Sequence, residues 1–162
     1  MKKAMWLSTC GQRASSSFAS TNHRPVSGIA NIRTYSARSV QCANVRTSAE
    51  DAFVFQEPCD LSTRWVLETI DATRFYLTNA NGTLCANVFR GSAAEGVFIV
   101  RSQCQRGLPG FQWRRNPSRG GDQYIPVVSN RPMVVQGSSL NDGALLIQSS
   151  APSTSDRWLL RP

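Results

Sequence analysis

Apolar and polar positions alternate at short range along most of this chain. Ile29, Ile32 and Tyr35 open one such stretch, Phe75 and Leu77 a second, and Tyr124, Ile125 and Val127 a third. A period near two puts successive side chains on opposite faces of an extended backbone, so these stretches predict half-buried β-strands. Short continuous apolar runs follow each of them: Phe53-Val54-Phe55, Val97-Phe98-Ile99-Val100 and Ala144-Leu145-Leu146-Ile147. They are predicted to be core strands. Between the strands lie Asn79-Ala80-Asn81-Gly82, Gly91-Ser92, Gly120-Gly121-Asp122 and Asn141-Asp142-Gly143, all residues that favour tight turns. No amphipathic helical stretch of useful length interrupts the pattern.

The strands recur in a larger unit. Trp65, Trp113 and Trp158 each close a segment of similar internal order, 48 and 45 residues apart. Self-similarity at such a period marks a repeat architecture. Cys42-Ala43-Asn44-Val45 and then Cys59 precede Trp65; Cys85-Ala86-Asn87-Val88 and then Cys104 precede Trp113. In the third copy Pro132-Met133-Val134-Val135 and Ala151 stand in those places, so hydrophobicity is kept and sulfur is lost. The copies span approximately residues 29–69, 70–119 and 120–162. A unit of about four short strands cannot bury its own apolar face, so three units must share one core around a pseudo-threefold axis. The prediction is all-β: a β-trefoil over residues 29–162. The three tryptophans and the apolar runs are expected to meet in its core.

Charge changes the picture at one end. The chain has a formal charge of +8, yet residues 1–49 hold seven Lys or Arg and no acid, whereas residues 50–162 hold eleven Arg against ten Asp or Glu. The basicity belongs mainly to the front of the chain, which begins with residues 1–28, a basic Ser- and Arg-rich leader expected to be flexible and to add nothing to the core. Its composition is partly like a transit peptide, and Lys2-Lys3 before Ala4-Met5-Trp6-Leu7 partly like a shortened signal peptide. Cys10 within it is expected to be a free thiol. No apolar run is long enough for a transmembrane helix. With residues 50–162 at a net charge of only +1, the high pI does not point to nucleic acid.

The other four cysteines sit equivalently in two copies, 17 and 19 residues apart. Equivalent placement argues for equivalent bonds, Cys42 to Cys59 and Cys85 to Cys104, and hence for a secreted chain or another oxidising, extracytoplasmic compartment. The alternative, zinc, favours closely spaced Cys and His ligands, and the chain has no C-x-x-C and only His23, in the leader. Asn81-Gly82-Thr83 matches an N-glycosylation acceptor, which matters if the chain is secreted from a eukaryotic cell.

Threefold cysteine phrases followed by a Q-x-W motif are what this chain resembles: the R-type, or ricin-B-like, lectin family. Here the closing motifs read Thr63-Arg64-Trp65, Phe111-Gln112-Trp113 and Asp156-Arg157-Trp158, each keeping Trp and lacking the first Gln. The resemblance implies galactose-type sugar binding by an Asp two places after the first cysteine, an aromatic two places before the second, and a polar residue three places before the Trp. Those residue types suit a sugar, which offers hydroxyls and one apolar face. In this sequence the places hold Asn44, Asn87 and Val134; then Glu57, Ser102 and Ser149; then Ser62, Gly110 and Ser155. Any surviving sugar site therefore falls to copies one and two, around Asn44 with Glu57 and Asn87 with Ser102. Asn44 and Asn87 also have a structural reading, since Asn beside a turn bonds its own backbone. A neighbouring aromatic such as Phe89 or Phe53 would have to supply the missing stacking face. Copy three is expected to be purely structural.

Two further points bound the function. Arg106, Arg114, Arg115 and Arg119, with Phe111 and Trp113, form a candidate basic patch for sulfated glycan, phosphate or nucleic acid, against the favoured alternative of a solvated loop. No histidine outside the leader, phosphate-binding glycine loop or metal motif occurs, so no cofactor, no metal and no enzymatic activity are expected. Two functions remain open. One is a carbohydrate-binding module, free or as the targeting subunit of a larger toxin or enzyme complex, with a glycan on glycoprotein or glycolipid as partner. The other is a trefoil that has lost sugar binding and serves protein interaction or assembly with a partner subunit.

Overall fold

The computed structural model describes residues 29–34, 41–59, 64–117 and 119–161. The leader with Cys10, and Ser62, lie outside the described residues. Strands β1 (Ile29–Thr34), β5 (Trp65–Thr69), β6 (Arg74–Thr78), β9 (Gln112–Asn116), β10 (Gln123–Pro126) and β13 (Trp158–Arg161) form a barrel. Its antiparallel neighbours run β13–β1–β5–β6–β9–β10. The ring closes where Asp122 and Trp158 exchange backbone hydrogen bonds of 2.8 and 2.9 Å. Closure leaves no sheet edge to template aggregation.

Three hairpins cap one end. They pair β2 (Gln41–Asn44) with β4 (Phe55–Pro58), β7 (Leu84–Val88) with β8 (Ile99–Gln103), and β11 (Met133–Val135) with β12 (Ala144–Gln148). The short strand β3 (Ala52–Phe53) pairs β8, β12 pairs β4, and Phe98 bridges to Ile147, so the hairpins brace one another in a triangle. The expected trefoil is present, with each copy contributing two barrel strands and one hairpin.

All three repeat tryptophans are fully buried and do the same thing. The indole Nε1 of Trp65 donates to Ala43 O at 3.0 Å, that of Trp113 to Ala86 O at 2.9 Å and that of Trp158 to Met133 O at 2.9 Å. Each acceptor lies one residue after the first-cysteine position. Each indole thus fills the core and ties the copy's hairpin to its closing barrel strand, satisfying two buried polar groups at once.

The apolar runs are less buried than their composition predicts. Val54, Ile99, Val100 and Leu146 are in the core, whereas Phe55, Phe98, Leu145 and Ile147 are half-buried and Phe53 is 41% exposed. The period of two explains this, since every second residue of a cap strand faces outward.

The copies are clipped together in a cycle. Gln148 of copy three donates from Nε2 to Ser92 O and Ala94 O of copy two at 2.8 and 2.6 Å. Its equivalent in copy two, Arg101, donates to Thr47 O of copy one at 2.6 Å, and Gln56 of copy one reaches Ser139 O of copy three at 3.0 Å. An acid in each cap turn makes a second clip. Glu50 accepts Gln103 N at 3.0 Å, Glu95 accepts Ser150 N at 3.1 Å, and Asp142 accepts from Gln41 Nε2.

Candidate functional site

The two expected disulfides form, Cys42–Cys59 and Cys85–Cys104, with Cα separations of 5.0 and 4.9 Å. Each bridges the open end of a hairpin, across the register Cys42↔Glu57 in copy one and Cys85↔Ser102 in copy two. Asn44 and Glu57 therefore share one hairpin, and Asn87 and Ser102 share the other.

The two hairpins present these residues differently. In copy two a cleft of about 320 Å³ opens beside the hairpin. Asn87, only 3% exposed, donates from Nδ2 to Ser102 Oγ at 2.9 Å, and Ser102 Oγ donates onward to Asp51 Oδ1 at 2.5 Å. Ser102 thereby accepts one hydrogen bond and commits its proton to Asp51, but Asn87 Oδ1 accepts no hydrogen bond among the described residues. An acceptor without a partner, on a buried side chain that lines a cleft, suits a donor arriving from outside.

The cleft wall comes from two short 3₁₀ turns, Phe89–Gly91 and Pro109–Phe111. They approach so closely that a Cβ on Gly110 would lie 3.1 Å from Gly91 Cα, so any side chain at Gly110 would force the turns apart. The place where the resembled family carries a polar residue is here pure backbone. Leu108, 49% exposed, and the buried Phe111 both line the cleft, Leu108 at its rim. Phe89 and Phe53 do not line it. Phe89 carries the Arg90 guanidinium 5.0 Å above its ring, and Phe53 packs edge-on against Phe98 at 5.2 Å.

In copy one the corresponding space is filled. Arg46 donates to Glu57 in an ion pair and lies 4.7 Å over the Phe55 ring. Its Nη2 sits 2.9 Å from where a Cβ on Gly143 would be, so the guanidinium lies against that glycine's backbone. Asn44 Oδ1 accepts the backbone N–H of Val45 at 2.6 Å. In copy three Val134 is buried, and Ser149 Oγ accepts Ala151 N at 3.1 Å.

Three of the four arginines of the candidate patch have separate side-chain partners. Arg106 forks onto the Glu68 carboxylate at 3.1 and 2.7 Å, and that hydrogen bonding raises its already high pKa. Arg115 pairs with Asp122 at 3.3 Å, Arg114 donates to Asn130, and Arg119 is exposed. Acids thus oppose two of the four charges. Among the described residues no group of three His, Cys, Asp or Glu is placed to hold a metal. Among the same residues no helix is long and apolar enough to cross a membrane.

Glu50 and Asp51, in an exposed turn of copy one, carry no motif in the sequence, yet both line the cleft of copy two. Arg90 and Leu108 carry none either. A signal was available: three places before Val54, Ile99 and Leu146 stand Asp51, Gly96 and Gly143, all at positive φ.

No family profile and no curated protein matches the sequence. Solved structures do. The designed threefold-symmetric protein ThreeFoil aligns with a TM-score of 0.75 at 19% identity, over 83% of this chain and 98% of that one. The fold is a β-trefoil. The Polyporus squamosus lectin, solved with the epitope Neu5Aca2-6Galb1-4GlcNAc, aligns with the trefoil at 0.64 and 16% identity, over 82% of this chain and 48% of the lectin chain. The Haemophilus ducreyi cytolethal distending toxin aligns at 0.63 and 14% identity, over 82% of this chain and 83% of that chain. The likeness to the lectin and the toxin is one of fold.

Proposed function

We propose that the protein is a non-catalytic carbohydrate-binding module whose site is the copy-two cleft. The observation that carries this reading is the convergence, in one cleft, of a partnerless acceptor on buried Asn87, the Ser102–Asp51 hydroxyl–carboxylate pair and the apolar rim of Leu108. A sugar ring presents hydroxyl donors and an apolar face, and needs that combination of groups. Copy one is closed by Arg46 and Glu57, and copy three has the buried Val134 in the place of Asn87. The lectin and toxin likeness supports a glycan on glycoprotein or glycolipid as ligand, with this trefoil as a free lectin or the targeting subunit of a larger assembly. The two disulfides fit a secreted chain.

A glycan array tests this. The wild type is expected to retain at least one family of glycans and Leu108→Asp to lose it, whereas silence across galactosides, N-acetylgalactosaminides, mannosides and sulfated glycans would refute it. A second reading, protein assembly, has one observation in its favour. Phe53, Phe55 and Phe98 form an edge-to-face cluster on the outer face of the cap, with ring centroids 6.5 and 5.2 Å from Phe53. On that reading Phe53→Ser abolishes association seen by sedimentation, and a wild type that stays monomeric and captures no partner refutes it.

A further inference from the structure

Val54, Ile99 and Leu146 occupy one position in the three copies. Three residues before each, the backbone turns through the left-handed region, with φ of 55° at Asp51, 74° at Gly96 and 80° at Gly143. Copies two and three meet this demand with glycine, which has no Cβ to clash. Copy one meets it with a charged L residue, against the steric preference of the backbone. Burial does not compensate, because Asp51 is exposed. Its hydrogen bond is the one from Ser102 to Oδ1, and Oδ2 accepts none among the described residues. Strained non-glycine residues gather where their side chains are used.

The cleft shows the same exchange a second time. Arg90 has φ of 54° where its counterpart in copy three, Gly137, has 64°. Asp51 and Arg90, from different copies, both line the cleft. Arg90 has no ion-pair partner among the described residues, and its guanidinium is held over Phe89. Glu50 adds a second carboxylate at the Asp51 wall, anchored on Gln103 N. One cation against two carboxylates leaves the cleft negative.

We infer that Asp51, handed across from copy one, is a specificity-determining residue of the copy-two cleft and makes it select uncharged saccharides over acidic ones. The inference rests on the saccharide reading above. Asp51 Oδ2 and Asn87 Oδ1 offer two acceptors to ring hydroxyls. A carboxylate or sulfate on the ligand would instead meet Asp51 and Glu50 at short range, where like charges repel.

The test is isothermal titration of the wild type, Asp51→Asn and Asp51→Gly with a neutral galactose-terminated oligosaccharide and the same oligosaccharide capped by a carboxylate-bearing sugar. At low salt the wild type is expected to bind the neutral form about tenfold more tightly, a gap that added salt narrows. Asp51→Asn keeps a residue that tolerates the left-handed turn and still accepts from Ser102, and should bring the two ligands within about threefold of each other. Asp51→Gly should melt no lower than the wild type, because it relieves the backbone, yet lose about tenfold in neutral-sugar affinity. Neutral binding that survives Asp51→Gly, or an unchanged preference in Asp51→Asn, overturns this inference alone. Silence of the wild type toward every saccharide overturns the saccharide reading and this inference with it.

Discussion

A single indole hydrogen bond, made three times, shows how much of this fold is decided by individual side chains. Trp65, Trp113 and Trp158 were legible as core residues because they recur beside apolar runs. Their bonds to Ala43, Ala86 and Met133 carbonyls were not, because a carbonyl leaves no mark in sequence. Trp113→Phe keeps most of the apolar volume and leaves the buried Ala86 carbonyl without its donor. It should cost about 1–3 kcal/mol, measured by denaturant unfolding. Glu95 is a second case. Hydrogen bonds from the Ser149 side chain and then from the Ser150 backbone and hydroxyl, with Arg131 adding less, lower its pKa from 4.5 to about 2. A carboxyl whose pKa is lowered by folding stabilises the native state above its unfolded value, and that stability drains away as pH falls through the folded value. The melting temperature should therefore drop between about pH 4.5 and 2, and the drop should be shallower in Glu95→Gln.

Hairpins carry the difference between what the chain shows in sequence and what it does in space. The pairing of Cys42 with Cys59 and Cys85 with Cys104 followed from equivalent placement in two copies, and the structure has both bonds. The apolar runs misled in part, since composition alone cannot say which face of a cap strand turns outward; Phe53 and Phe98 face out beside buried Val54 and Ile99. Asn44 and Asn87 looked interchangeable in sequence, yet one bonds its neighbour's backbone and the other reaches Ser102. What separates them is the residue opposite each first cysteine: Glu57 recruits Arg46 and closes its cleft, and small Ser102 leaves its cleft open. Replacing Cys85 and Cys104 together by Ser opens a loop of 19 residues and should cost about 3 kcal/mol in the unfolding free energy. It should also weaken sugar binding, because that bond fixes the strand pair holding Asn87 and Ser102.

For the whole molecule, the period of the tryptophans was enough to read a trefoil, because a scaffold must repeat to close around one axis. The site was not readable in the same way. It is built between copies, from Asn87, Ser102 and Leu108 of copy two and Glu50 and Asp51 of copy one. Matching residues to a motif within one copy finds only half of it. The clips that bind the copies into a cycle, Gln56, Arg101 and Gln148 reaching into the preceding copy, also hold that composite cleft in shape. Where a sugar lands decides between this composite cleft and the hairpin of copy one. The most direct measurement is an amide NMR titration with galactose- and N-acetylgalactosamine-terminated oligosaccharides. Shifts should cluster at Asp51, Asn87, Arg90, Ser102 and Leu108 and leave Asn44 and Glu57 unmoved. Shifts centred on Asn44 and Glu57, or none for any oligosaccharide at millimolar concentration, would contradict it.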